Sequence, residues 1–355
     1  IECLHLLDIN LIMINKIQKH FILIDKCADE TRIVEILDKK IVKFISWFGN
    51  NIPIIGNIYD AMIIKKLNGG IARAKIKNKT IVTVRGVPQS IKTNSQIKII
   101  ITSEKFDEKP IQAKILLSNS EYDNKLVNLD NLEKIIYLYF TKDIPVVKDE
   151  HAIYWEVLEL DNCFLKALEP KIELDEGGII WIEKTKAATL IDIDTGKIKL
   201  NNNVDTLDFC KKVFVKCIEE IRLRNIGGMI LIDFPRMPYV YKKELHKYIL
   251  ETGKKYFNDG TFLGFSKLLL YEIYIPRSIA LLDSFYKNID EYNFQNHLRS
   301  LWRKSIEVKS KNNIDFLCGI NLYKKIKTKK TPAFINIVQR TDLPEDYGEL
   351  MEIKK

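Results

Sequence analysis

Between residues 179 and 234 the hydrophobic period of the chain changes twice. Ile179-Ile-Trp-Ile-Glu183 and Ala188-Thr-Leu-Ile-Asp-Ile193 read as strands, and the short lysine-rich connection between them fits an antiparallel hairpin. In such a strand Asp192 and Asp194 share one face, while Ile191 and Ile193 point into the core. From Asp205 the apolar spacing becomes three and four: Leu207, Cys210, Phe214, Cys217, Ile218 and Ile221 make the stripe of an amphipathic helix. Asp205 or Thr206 is its expected N-cap, Arg222 and Arg224 occupy its last turn, and Gly227-Gly228 is its stop. A buried strand, Met229 to Phe234, follows at once. Laid beside the 188–193 strand, it brings Asp233 to the same strand ends as Asp192.

Each of these apolar runs carries an acid where a buried strand carries an aliphatic residue. An ionised carboxylate is costly there unless a cation compensates it. Carboxylates converging without a nearby histidine or cysteine favour a hard, oxygen-seeking cation, magnesium or manganese. The alternative is that the acids end their strands as solvated caps. His5, His20, His151, His246 and His297 are far apart and none lies in the acidic segments. There is no P-loop or dinucleotide fingerprint, and Ser266 has no nucleophile-elbow context, so nucleotide hydrolysis and acyl transfer are disfavoured.

Elsewhere, strand-like runs at 71–76, 80–85 and 96–102 have the spacing of a small barrel. Helices are expected near 130–140 and 151–168, packed against that barrel. Beyond the acidic segments come a helix near 289–305, another near 314–327 and a strand from Ala333 to Val338, the outline of a small α/β domain. The lysine run from Lys324 to Lys330 is either an RNA-contact surface or a solvated helix end. Residues 1–19 are too interrupted for a signal peptide, and Met13 is a candidate start.

Composition changes this picture little. A chain of 355 residues with 46% apolar content can bury two or three cores, and a net charge of +9 suits a polyanionic partner. Lysine far outnumbers arginine, a bias that softens the charge argument. No stretch has membrane-spanning length without charge, so no membrane partner is expected. Cys3, Cys27, Cys163, Cys210, Cys217 and Cys318 are scattered, as buried thiols in a reducing, cytoplasmic setting would be.

Gly177-Gly-Ile-Ile-Trp-Ile-Glu-Lys-Thr-Lys-Ala-Ala-Thr-Leu-Ile-Asp-Ile-Asp-Thr-Gly196, then Ile221-Arg-Leu-Arg-Asn-Ile-Gly-Gly-Met-Ile-Leu-Ile-Asp-Phe234, resembles the catalytic segment of the bacterial ribonuclease E/G family. Leu263 to Leu268, with Glu272 and Arg277, is similar to the family's next strand, from which Tyr274-Ile275-Pro276 departs. Thr31 to Val42 and Ile55 to Ile64 look like its opening strands and barrel entry. The resemblance implies an α/β (α+β) fold: an OB-fold, S1-like RNA-binding barrel followed by a deoxyribonuclease-I-like α/β catalytic domain. Together with the helical pattern it divides the chain into an extension (1–19), opening strands and barrel (20–118), a helical connecting segment (119–175), a catalytic domain (176–285) and a small C-terminal α/β domain (286–355).

The resemblance further implies a magnesium ion, with manganese as a substitute, held by Asp192 and Asp233. Asp194, where the family often has asparagine, either adds a ligand or orients the attacking water. The implied reaction is hydrolysis of single-stranded RNA to 5′-phosphate and 3′-hydroxyl ends. The family's barrel aromatic is replaced within Ile71-Ala-Arg-Ala-Lys-Ile76, which leaves Arg73, Lys75, Lys77 and Lys79 as the expected phosphate grips. Lys197, Arg222 and Arg224 are further candidates for RNA contact, although the arginines equally complement a helix C-terminus. Longer members carry a paired-cysteine zinc link between subunits. Cys318 stands alone, so no structural zinc is expected and monomer or dimer stays open. Longer members also sense a 5′-monophosphate through an arginine and a threonine, whereas this chain has no arginine between Arg85 and Arg222. The competing reading is a non-catalytic RNA-binding protein on the same fold, and a third is a nuclease acting on DNA.

Overall fold

The computed structural model describes residues 19–27, 30–48, 55–76, 80–103, 110–117, 129–149, 152–175, 177–277, 279, 281–286, 289–307, 314–327 and 335–352. The first sheet is an antiparallel meander of β1 (His20–Cys27), β2 (Glu30–Leu37) and β3 (Lys40–Phe48). Asp38 and Lys39 turn between β2 and β3 with φ of 48° and 66°, the paired positive values of a tight hairpin whose twist matches its strands.

The chain then leaves this sheet to build a closed barrel in the order β4 (Ile58–Leu67), β5 (Ile71–Ile76), β6 (Ile81–Arg85), β8 (Gln112–Leu116), β7 (Gln96–Ser103), with β6 and β8 parallel. Alternate residues fill the interior. Ala61, Ala72, Ala74 and Ala113 leave room there for Ile63, Ile76, Ile97, Ile99, Ile101 and Ile115.

After α1 (Asn131–Tyr139), capped by Asp130 and Glu133, the chain returns as β9 (Val146–Lys148), parallel to β1. The barrel is therefore inserted into the first sheet. The apolar run Phe21-Ile-Leu-Ile24 needs cover on both faces. Phe21, Leu23, Val34, Ile36 and Phe44 meet Trp155, Leu160 and Phe164 of α2 (Ile153–Val157) and α3 (Leu160–Leu168). Ile22, Ile24, Ile33 and Ile45 meet Ile135 and Tyr139 of α1. These helices thus pack chiefly on the opening sheet, because β1 is apolar on both sides whereas the barrel fills itself; of the expected barrel contact, α1 makes one, where Asn131 accepts from Asn57 Nδ2 at 3.0 Å and Lys134 donates to Asn57 Oδ1 at 2.8 Å.

The next sheet has the order β10 (Lys171–Glu173), β11 (Ile179–Lys184), β12 (Ala188–Asp194), β13 (Gly228–Asp233), β15 (Tyr271–Ile275), β14 (Thr261–Phe265). The hairpin β11–β12 is antiparallel, and α4 (Asn203–Leu223) carries the crossover from β12 to the parallel β13. With α5 (Tyr239–Tyr256), α4 covers one face through Cys210, Phe214, Cys217, Ile218, Ile221, Leu245 and Ile249. Burial pushes the free Cys210 thiol up to about 12, so this cysteine acts as a small hydrophobe. The N-cap of α4 is Asn202, three residues before the expected Asp205: its side chain accepts from Val204 N and Asp205 N at 2.8 and 2.9 Å. The helix stops on Asn225, φ 54°, before the glycine pair. Gly228 opens β13 with φ 95°, a left-handed value that strains any side chain, and a Cβ there would also crowd the Arg277 guanidinium at 2.6 Å.

The last elements are α6 (Ile289–Glu307), β16 (Ile314–Cys318), α7 (Ile320–Lys327), β17 (Ile335–Gln339) and β18 (Gly348–Glu352). Residues 314–318, expected as helix, form the central strand of a three-stranded sheet. A short apolar run reads alike in either state, and Gly319 breaks it from α7. α6 also reaches back to the first sheet. Arg299 bonds Glu30, which accepts from Ser46 Oγ at 2.6 Å and from Tyr286, and Arg303 meets Asp25 at 2.9 Å. Arg32 bonds Asp25 and Asp161 with its guanidinium 3.4 Å from the Trp155 ring centroid. Among the described residues no helix is long and apolar enough to cross a membrane.

Candidate active site

The alternation of β12 puts Ile191 and Ile193 in the core and Asp192 and Asp194 on the opposite, exposed face. On β13, Ile230 and Ile232 are fully buried and Asp233 is exposed. The parallel register sets Asp192 opposite Asp233, so their backbones lie one strand spacing, about 4.8 Å, apart with both carboxylates on one face. The acids are not desolvated as the sequence led us to expect, because α4 and α5 cover only the other face. A different force calls for a cation here: like charges directly opposite each other on adjacent strands repel.

Neither Asp192 nor Asp233 hydrogen-bonds or ion-pairs with another described residue. Asp194 Oδ1 instead accepts from Gly196 N at 2.8 Å and closes the turn that leads into α4. That turn presses on the start of β11, where a Cβ on Gly178 would lie 2.9 Å from Asp194 O, which accounts for the glycine there. Among the described residues no group of three or more histidine, cysteine, aspartate or glutamate side chains could hold a metal. A pair of free carboxylates with open water around it suits magnesium, which keeps several waters and takes one or two protein carboxylates.

The same strand ends gather exposed cations. Lys197 follows the Asp194 turn, Arg236 lies three residues past Asp233, and Lys267 sits in the β14–β15 turn beside the Ile232–Tyr271 pair. Glu272, opposite Leu231, is a diagonal neighbour of Asp233. Arg236, Lys267 and Glu272 carry no periodic signal; Arg236 is here because it follows Asp233 in the chain, and the β13–β15 pairing brings Lys267 and Glu272.

Arg222 and Arg224 are not beside the acids. They end the 21-residue α4, a rod about 30 Å long that starts at the acid end. Arg222 bonds the fully buried Glu35 at 2.7 Å and Thr141 Oγ1 at 3.2 Å. Arg224 is buried against Glu220 at 3.1 Å and the Glu169 carbonyl at 2.7 Å.

On the barrel, Arg73 and Lys75 point outward from β5. Lys65 pairs with Arg73, while Met62 and Ile81 flank Lys75 at 42% and 48% exposure. This face is basic and aliphatic. Lys77 and Lys79 lie outside the described residues, as do 328–330 of the lysine run. Within that run Lys325 pairs with Asp346 at 3.3 Å.

The structure so far defines a mixed α/β protein with a closed barrel and a carboxylate pair on an open sheet face. The sequence profile described as "Ribonuclease E/G family" matches residues 74–278, more than half of the chain, and the chain belongs to that family. It is 36% identical over 86 residues to ribonuclease G of Salmonella typhimurium (strain SL1344), covering 24% of this chain and 18% of that protein. Against ribonuclease G of Haemophilus influenzae it is 34% identical over 99 residues, covering 26% and 20%. Against ribonuclease E of Synechocystis sp. it is 35% identical over 81 residues, covering 22% and 12%. The matched part thus spans a fifth or less of the length of these relatives.

Proposed function

We propose that the protein is an endoribonuclease of RNA processing or decay that hydrolyses single-stranded RNA at Asp192 and Asp233, leaving 5′-phosphate and 3′-hydroxyl ends. The observation that carries this is the Asp192–Asp233 register, two carboxylates without a partner among the described residues, held side by side on an open face. These two residues would hold magnesium, or manganese in its place, which when bound neutralises the phosphate and lowers the pKa of the attacking water. Asp194 keeps the turn behind the pair in place. Lys197, Arg236 and Lys267 draw the backbone to the strand ends, and Arg73, Lys75 and Lys65 grip it on the barrel. The barrel's strand order and its parallel β6–β8 closure support an OB-fold, S1-like reading, and the six-stranded sheet with its crossover helix supports a deoxyribonuclease-I-like one.

Purified protein incubated with single-stranded RNA and DNA, with magnesium or with chelator, tests this reading. Cleavage of RNA that chelator abolishes is expected. Chelator-insensitive binding without cleavage identifies the competing non-catalytic RNA binder, which the aliphatic barrel face and Tyr274-Ile275-Pro276 favour.

Two further outcomes are expected. If about three or more phosphates meet lysine or arginine, RNA affinity falls about tenfold or more between roughly 50 and 200 mM salt. A nearly flat profile would remove the lysine-based grip. Cleavage is also indifferent to the 5′ end. The contact of Arg222 with Thr141 closes on Glu35, which neutralises it, and lysine lacks the planar fork that selects a terminal phosphate. RNAs bearing 5′-monophosphate, triphosphate or hydroxyl are cut at rates within about twofold, and a tenfold preference for monophosphate refutes this.

A further inference from the structure

One large aromatic stands beside the acids on the open sheet face. Trp181 on β11 is opposite Asp192 on β12, which is opposite Asp233 on β13, and Lys171 on β10 is opposite Trp181 on its other side. The four side chains form one row across four strands, each step about 4.8 Å. Trp181 is 36% exposed and makes no aromatic or cationic ring contact with a described residue. Trp155, by contrast, is 1% exposed with Arg32 over its ring. Tyr274 shares the open face but pairs with Met229, four residues back from Asp233.

The neighbours of Trp181 limit what can cover it. α4 and α5 fill the opposite face, so the ring is not part of their core. A protein partner pressed onto it would also bury Asp192 and Asp233, two like charges without a counterion, at a large desolvation cost. A nucleobase can lie flat on the indole while its phosphate reaches the acid pair, one strand away, together with the cation bound there. Lys171, bonded to Glu173 at 2.7 Å but still 40% exposed, borders the far side of the ring.

We propose that Trp181 is a stacking platform for one nucleobase of single-stranded RNA, flanking the phosphate held at Asp192 and Asp233. The proposal rests on the reading of that pair as the cleavage site, although stacking itself requires neither metal nor turnover. Any base presents a π face, so the contact tolerates sequence. A paired base is already stacked in its helix, so the contact selects unpaired nucleotides.

The test uses the full chain carrying Asp233→Asn, titrated with a short single-stranded RNA while tryptophan emission and RNA anisotropy are followed. RNA quenches part of the emission. Adding Trp181→Phe removes that quench and keeps affinity within about twofold, because phenylalanine also stacks. Adding Trp181→Ala weakens binding about tenfold. In the otherwise unaltered protein, an abasic nucleotide next to the cut slows cleavage about tenfold, and Trp181→Ala erases the difference between abasic and intact substrates. Equal affinity of the Trp181→Ala and parent proteins, an abasic penalty that persists in Trp181→Ala, or an emission shift driven by protein concentration without RNA overturns the proposal. If RNA is not cut yet the quench appears and vanishes with Trp181→Phe, stacking stands and the cleavage reading alone fails.

Discussion

Asp233→Asn is expected to lower RNA cleavage by on the order of 10³-fold, about 4 kcal/mol at the barrier, with folding and RNA affinity nearly unchanged. The substitution keeps the shape of the residue and removes one of two charges that have no partner among the described residues and lie on an exposed face, so nothing in the core is disturbed. Phosphate contacts elsewhere supply the affinity. Asp192→Asn behaves alike. Asp194→Asn is milder, because the amide oxygen can still accept from Gly196 N and hold the turn. Single-turnover cleavage alongside anisotropy separates the two effects, and a wild-type rate for Asp233→Asn would falsify the site.

The largest stability loss is expected at Arg32→Ala. Arg32 is 1% exposed, joins Asp25 to Asp161 and lies over Trp155, so its removal leaves the Asp25 carboxylate buried and under-compensated. Breaking a buried pair in this way costs about 3–5 kcal/mol, or about 10 °C in the thermal midpoint. The same network sets the acid limit. Burial alone would raise the Asp25 carboxyl, yet Arg32 and Arg303 outweigh it and hold it below its ordinary value. Burial likewise opposes Glu35, and Arg222, Thr141 and His20 outweigh it. Both native pKa values lie below the unfolded ones, so this stabilisation is full above the ordinary carboxylate range, about pH 4, and is lost as pH falls through the lowered native values. Thermal midpoints followed against pH should therefore drop steeply below about pH 4 in the wild type and less steeply in Arg32→Ala. Parallel curves would separate Arg32 from the acid response.

The acid pair was legible because two local rules suffice: alternation along β12 and β13 fixes the faces, and a crossover helix fixes the parallel pairing. Which face the helices cover is not a local property. The acids therefore read as buried when they are exposed. Arg222 lies only eleven positions before Asp233 in the sequence, but the six-residue β13 runs between them, so Arg222 sits by the start of that strand and Asp233 at its end. Trp181 looked like one more apolar residue of its strand until the register set it opposite Asp192. β9 is three residues long, too short to announce that residues 146–148 rejoin the first sheet around an inserted barrel. Ile314 to Cys318 is equally short and apolar, and its place between β17 and β18 comes from partners that lie later in the chain.

The docking of α6 on the first sheet ties the opening strands to one of the last helices. Glu30 and Arg299 are 269 residues apart, and Asp25 and Arg303 are 278 apart. At roughly 5–20 residues per second, a ribosome that has released β1 and β2 needs about 15–50 s more before their arginines emerge. Through that interval the nascent sheet holds Asp25 and Glu30 without Arg303 and Arg299. Arg32 on the neighbouring strand already pairs with Asp25, but Glu30 has only Ser46 until Tyr286 and Arg299 arrive, which makes closure of α6 onto the first sheet a late event of synthesis.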